Sequence, residues 1–270
     1  MIRGLRPLVA SLAVAAALAA CSSKKDAYVE RPVHEIYNEA VDALESGNYR
    51  QAAKMFDEVE RQHPYSTWAT KAKLMSAYAY YEANDYDEAV IGLDRFIQLH
   101  PGNRDVAYAY YLKALSQYER ISDIVRDQLT TEKSLESLQE VVRRFPDSKY
   151  ARDARLKIDL TRDHLAGKEM EVGRYYLRRA HHLAAINRVR RVVDEFQTTS
   201  HVQEALHRLV EAYSALGLTV EAQKAAAVLG HNYPGSDWYA DSYAIATGID
   251  VREAKESDKG MVARVWNWIF

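Results

Sequence analysis

The sequence repeats itself. Asn48-Tyr49-Arg50-Gln51-Ala52 returns as Asp85-Tyr86-Asp87-Glu88-Ala89, a displacement of 37 residues. The same displacement carries Phe56 onto Leu93, Val59 onto Phe96 and His63-Pro64 onto His100-Pro101. A period in this range restricts a chain to stacked units, each too small to bury its own apolar face and each covered by its neighbours. Within one unit Ile36, Ala40 and Ala43 share one helical face, and Ala52, Phe56 and Val59 share another. Gly47-Asn48 marks the turn between them and Pro64 stops the second helix. Helix starts then recur after prolines, in Pro64-Tyr65-Ser66-Thr67-Trp68, Pro146-Asp147-Ser148-Lys149-Tyr150 and Pro234-Gly235-Ser236-Asp237-Trp238. Each offers a serine as N-cap, with an aromatic two residues later that can seat the new helix on the old one.

The small and large positions resemble the tetratricopeptide repeat, through Ala40, Ala52, Phe56 and Pro64, then Ala77, Tyr80, Ala89, Leu93 and Pro101, and last Tyr213, Ala222, Leu229 and Pro234. Between these units the prolines spread to 45 residues (Pro101 to Pro146) and 88 residues (Pro146 to Pro234), with Gln197 standing where a further proline would fall. The expected fold is all-α, a right-handed solenoid of about five helical hairpins with a C-terminal helical extension. The third unit is expected to carry an insertion near Ser122–Thr130, and the fourth an extra helix within Ser148–Phe196. Such stacks offer curved, extended binding surfaces in place of a buried catalytic pocket.

Cys21, the sole cysteine, follows a positive start (Arg3, Arg6), an apolar run from Leu8 to Ala17 and the small residues Ala19 and Ala20. This is the layout of a secretory leader. The run is too short to span ~30 Å of hydrocarbon. Leu18-Ala19-Ala20-Cys21 resembles the bacterial lipobox, which implies cleavage before Cys21 and covalent diacylglycerol and N-acyl lipid on its thiol and amine. Several acyl chains anchor stably where one does not. With Ser22 next, resemblance to Gram-negative lipoproteins implies the periplasmic face of the outer membrane. The expected organisation is leader 1–20, lipidated tether 21–33, N-terminal repeats 34–121, C-terminal repeats 122–240 and tail 241–270. Without the leader, 34 basic residues face 38 acidic ones, so no basic excess invites nucleic acid.

The chain lacks the nucleophile-elbow, zincin, phosphate-loop and dinucleotide motifs. His181-His182, His201 and His207 make no metal set, since adjacent helical residues point about 100° apart and no cysteine joins them. His63 and His100 fall at helix ends, where an imidazole suits the negative dipole end. We expect no metal, no cofactor beyond the acyl chains, and no enzyme. Tyr78, Tyr80 and Tyr81, then Tyr108, Tyr110 and Tyr111, pack three tyrosines into four residues twice. They cannot all face one core. Some are expected on an open surface, where tyrosine supplies stiff amphipathic contact area; the alternative is packing between repeats with hydroxyls at the rim.

Glu35-Ile36-Tyr37, Gly47-Asn48-Tyr49-Arg50-Gln51-Ala52, Ala77-Tyr78-Ala79-Tyr80-Tyr81, Asp94-Arg95-Phe96-Ile97, Val172-Gly173-Arg174-Tyr175-Tyr176 and Asn187-Arg188-Val189 resemble the BamD family, lipoproteins of the outer-membrane β-barrel assembly machine. The departures are His63, where that pattern carries tyrosine, and the extension past residue 240. The resemblance implies a scaffold whose C-terminal repeats hold the periplasmic domains of a BamA-type barrel subunit, through Arg188 with Tyr175 and Tyr176. It implies that the N-terminal repeats take sorting signals of unfolded outer-membrane proteins, with Arg50, His63, Tyr65 and Tyr81 contributing. Other lipoproteins of the machine are further implied partners. A scaffold for another envelope complex, in secretin or pilus assembly or cell-wall synthesis, is the competing reading. In the tail, Trp266, Trp268 and Phe270 alternate with period two, like a barrel sorting signal, whereas Val262, Val265, Trp266 and Ile269 share a helical face.

Overall fold

The structure, a computed structural model, describes residues 30–248. Cys21, the leader and the tail residues from 249 on, with the expectations placed on them, lie outside the described residues. The described chain forms eleven helices: α1 Val33–Glu45, α2 Tyr49–Gln62, α3 Thr67–Glu82, α4 Tyr86–Leu99, α5 Val106–Tyr118, α6 Leu129–Arg144, α7 Lys149–Arg178, α8 His182–Glu195, α9 Val202–Ala215, α10 Thr219–Asn232 and α11 Asp237–Thr247. Consecutive pairs make the five expected hairpins of a helical solenoid, and α11 packs on α9 and α10 at the end.

The hairpin turns repeat one backbone device. Gly47 and Gly217 adopt φ of +76° and +74°, and Asn84 and Ala180 hold the same place at 60° and 57°. Glycine enters this region without a Cβ penalty. Asn84 is steadied there by the Tyr86 hydroxyl, which donates to its Oδ1 at 2.7 Å. The serine caps hold at two of three starts: Ser66 Oγ accepts from Ala69 N at 3.1 Å and Ser148 Oγ from Ala151 N at 3.2 Å. Ser236 makes no side-chain cap, and α11 starts without one. The seating aromatics act at all three junctions. Trp68 packs on Tyr37 at 4.8 Å, Tyr150 on Tyr111 at 5.1 Å, and Trp238 on His207 at 5.0 Å.

The third hairpin carries the expected insertion, the loop between α5 and α6. The fourth corrects the sequence reading. Its surplus residues do not form an extra helix; they lengthen α7 to 30 residues. No proline or glycine pair interrupts Lys149–Arg178, so nothing in the sequence stops the helix once Ser148 has started it. Its two halves serve different stacks. On the first half, Asp153 accepts from the Tyr111 hydroxyl of α5 at 2.5 Å, and Lys157 lies over Tyr118. From the midpoint on, Asp163 accepts from Ser200 and Arg174 pairs with Glu204 of α9. The core divides at the same point. Ala154 and Ile158 pack with Ala114, Leu138 and Val141, whereas Leu165, Ala166 and Met170 belong to a cluster running to Leu229. The inserted loop leans on the second half, where Lys168 Nζ donates to the Val125 carbonyl at 2.9 Å.

Candidate partner-binding surfaces

The six tyrosines of the two triplets in α3 and α5 are all half-buried, so packing claims part of every one. Tyr81 meets Tyr86 at 5.8 Å, while Tyr108 and Tyr111 meet Tyr150 of α7 at 5.6 and 5.1 Å. Tyr110 turns the other way, onto Phe145 at 5.4 Å under the Arg144 guanidinium. Tyr80 donates to Asp57 at 3.2 Å. Burial, with Asp57 next, pushes the Tyr80 phenol up to about 12; burial and Glu119 push Tyr81 to about 12 as well. Tyr108 and Tyr111 are raised further, by burial first. These hydroxyls therefore stay protonated donors on an aromatic seam between repeats, rimmed by the carboxylates of Glu82 and Glu119. The rings of the seam pack between repeats, and each tyrosine stays partly exposed.

The residues expected to contribute to signal binding, Arg50, His63, Tyr65 and Tyr81, do not share one groove. Arg50 opens α2 and His63 closes it, and 14 residues of helix put about 20 Å between the two ends. Arg50 is held by Asp85, the residue before α4, in a bidentate pair at 2.6 and 2.7 Å. Tyr81 lies at the same turn end, packed on Tyr86. At the opposite end His63 Nε2 contacts the Arg31 carbonyl oxygen at 2.7 Å, and Tyr65 is fully exposed. The dipole argument for histidine also needs correction at His100. Burial, then Lys73, lowers its pKa, so the imidazole closes α4 as a neutral group against Phe96.

In the fourth hairpin Tyr175 stacks edge-on to Tyr176 at 5.6 Å, with the Arg179 guanidinium 4.5 Å from its ring. Arg188 contacts Glu169 at 3.3 Å, and Arg191 holds the other oxygen of that carboxylate at 2.8 Å. Glu169 is buried, while the Arg188 side chain stays 47% exposed. Tyr176 and Glu169 are seven residues apart on α7, about 10 Å of rise, so the tyrosines and Arg188 occupy successive turns of one hairpin and not a single point. Gly173 permits this: a Cβ there would stand 2.5 Å from Val189 Cγ2, so α7 and α8 cross in near-contact only because the side chain is missing.

A second charged constellation escaped the sequence reading. Arg174 donates to both oxygens of Glu204 at 2.9 and 2.8 Å, Arg208 bridges Glu204 and Glu211 at 3.2 and 2.7 Å, and the Arg208 guanidinium covers Trp238. Burial alone would raise the Glu211 pKa, but His207 and Arg208 outweigh it and hold the carboxyl down at about 2. Arg174, Arg208 and Glu211 border a cavity of about 520 Å³ lined also by Leu177, Arg178, His182 and Ala215. Arg174 and Glu204 are thirty residues apart, and no periodic signal joins them; only the stacking of α9 on the second half of α7 does. Among the described residues no group of three or more histidine, cysteine or acidic side chains could hold a metal ion, and no helix is long and apolar enough to cross a membrane.

Residues 29–229 match the family described as YfiO, outer membrane lipoprotein. The chain belongs to this family. It is 48% identical to the outer membrane protein assembly factor BamD of Caulobacter vibrioides over 260 residues, 95% of this chain and 85% of that one. Its identity to the BamD of Rickettsia prowazekii is 49% over 88% of this chain and 95% of the relative, and to that of Neisseria meningitidis serogroup A 32% over 88% and 96%. Among solved structures, the tetratricopeptide domain of P58(IPK) superposes with a TM-score of 0.41 at 16% identity, over 79% of this chain and 55% of that domain. As a member of the YfiO family the chain is an outer-membrane protein assembly factor, a non-enzymatic scaffold associated with the outer membrane. The family match ends at Leu229, before α11.

Proposed function

We propose that the chain is a lipoprotein anchored through Cys21 on the periplasmic face of the outer membrane. Its two stacks divide the work of assembly: the C-terminal one holds the barrel-forming subunit, and the aromatic seam of the N-terminal one receives the sorting signals of unfolded barrel proteins. The observation that carries this reading is α7. One helix belongs to two cores, so two binding surfaces are held rigidly apart on a single element. The charge chemistry supports the division. Arg188 is half exposed and shares its internal partner with Arg191, so its guanidinium can turn to an acidic group on a partner without stranding Glu169. On the N-terminal side Tyr81 and Tyr108 offer neutral donors, and with Tyr111 ring edges, to an extended aromatic strand. Arg50 and Tyr81 lie at one end of that stack and His63 and Tyr65 at the other, so a signal engaging all four would run the length of α2.

The test is co-purification of the barrel subunit with lipidated Arg188→Glu, beside Arg50→Glu as the control on the other stack. Breaking one desolvated ion pair at an interface costs ~2–5 kcal/mol, whereas the internal pair to Glu169, being half exposed, is worth no more than about 1 kcal/mol. Arg188→Glu should therefore lose the subunit and keep its fold by circular dichroism. Undiminished recovery would remove Arg188 from the interface. Cys21→Ser checks the anchor: the protein should leave the outer-membrane fraction.

A further inference from the structure

The solenoid ends badly at its C-terminus. A repeat stack needs a terminal element with a polar outer face, because no further unit covers it. Helix α11 meets that need only in part, since Ile245 stands exposed beside the polar Asp237 and Thr247. It reads Asp-Trp-Tyr-Ala-Asp-Ser-Tyr-Ala-Ile-Ala-Thr, with two charged residues among two tyrosines, a tryptophan, an isoleucine and three alanines. It is placed as one more first helix: Ser242 lies against His207 at 2.9 Å, Trp238 stacks on the same imidazole, and Tyr239 fills the space over Gly230. Yet Ser242 is the one residue it buries, whereas α9, running beside it, buries eight from Val202 to Tyr213. Ile245 remains 43% exposed, and Val228 of α10 45%. At Gly248 the backbone then turns through φ of +78°, the left-handed conformation used at the hairpin turns.

We propose that residues 261–270 of the same chain cover this face, completing a sixth hairpin on α11 and α10. The spacing of Val262, Val265, Trp266 and Ile269 reproduces that of Ala222, Ala225, Ala226 and Leu229, the four residues α10 buries. A second helix of a hairpin needs that stripe to pack on its first. The twelve residues from 249 to 260 can extend about 40 Å, and α11 with its 11 residues is about 16 Å long, so the segment reaches the whole face. Their charged run, Arg252 to Lys259, suits a solvated connection. Tethering makes the contact intramolecular, at an effective concentration on the order of millimolar. The aromatic seam at Tyr108–Tyr150 is the competing seat for these tryptophans, and the pattern of exchange separates the two. Of the covered face, α11 lies beyond the family match, which ends at Leu229 within α10.

Hydrogen–deuterium exchange of the mature lipoprotein in detergent tests it. Deleting 261–270 should speed exchange of the α11 amides by about tenfold or more, the change expected when an element loses its cover and opens locally, with α9 unchanged. Val265→Asp with Trp266→Asp should do the same without shortening the chain. Ile245→Asp should copy it from the other side of the contact. A synthetic peptide of residues 256–270 should restore protection to the truncated protein. Unchanged α11 exchange in the deletion overturns the proposal. So does a change confined to α3–α7, which would put the tail on the tyrosine seam. Protection that grows with protein concentration, meaning a second copy, or that needs lipid vesicles, meaning a membrane-bound tail, overturns it equally.

Discussion

Gly173→Ala is the sharpest probe of how the fourth hairpin is built. Taken alone, alanine for glycine inside a helix is favourable by ~1 kcal/mol. Here the added Cβ would stand 2.5 Å from Val189 Cγ2, and 3.9 Å from the Cβ of Arg188. Carbon atoms rest at about 3.5–4.0 Å, so more than an ångström must be recovered. Val189 is fully buried and β-branched, with little freedom to rotate away. The helices must part, at an overpacking cost of ~1–3 kcal/mol, so the net change is a loss of up to about 2 kcal/mol. The decisive measurement is a double-mutant cycle by urea denaturation of the leaderless Cys21→Ser protein. In a Val189→Ala background the clash is gone, and Gly173→Ala should turn stabilising by up to ~1 kcal/mol. The two sites should couple by about 1–3 kcal/mol. Because α8 moves, Arg188 moves with it, so Gly173→Ala should also weaken capture of the barrel subunit. Two results would refute the reasoning: Gly173→Ala stabilising the unaltered background by the full helix propensity, or a cycle with no coupling.

Acid should loosen the C-terminal stack first. The carboxyls of Glu204, held down by Arg174 and by Arg208, and of Glu211, held at about 2, are both depressed. Their stabilisation is complete above the ordinary carboxylate range and is lost as pH falls from there towards about 2. Thermal midpoints measured down that range should fall less steeply in Glu211→Gln than in the parent. Ser148→Ala should cost ~1 kcal/mol in denaturant titration through loss of an N-cap, and Ser236→Ala, whose hydroxyl caps nothing, should cost markedly less. An equal loss at the two serines would contradict the cap geometry. Phe56→Ala, emptying the largest fully buried side chain of the first core cluster, should cost about 3–5 kcal/mol and unfold α1–α2 before α9–α10 in exchange experiments.

Much of this protein was legible as a string. The 37-residue displacement, the buried faces at Ala52, Phe56 and Val59, and glycine or asparagine at the hairpin turns are local signals, written by helix periodicity and by the few residues that tolerate positive φ. Trp68, Tyr150 and Trp238 could be seen as seats for new helices because an aromatic two residues after a helix-starting serine meets the first helix of the preceding repeat at each of these junctions. What depends on the relative placement of helices was not readable. Nothing between Ser148 and Phe196 marks where one stack ends and the next begins, because an uninterrupted helix satisfies its own backbone wherever its neighbours sit. That decision belongs to the side chains of α5 and α9, which claim different halves of α7. The same holds for the binding residues. Arg50 and His63 are thirteen residues apart in sequence and look like neighbours, but a helix between them is a rigid spacer. Arg174 and Glu204 are thirty apart and are bonded, because stacking, not sequence distance, sets which charges leave water together.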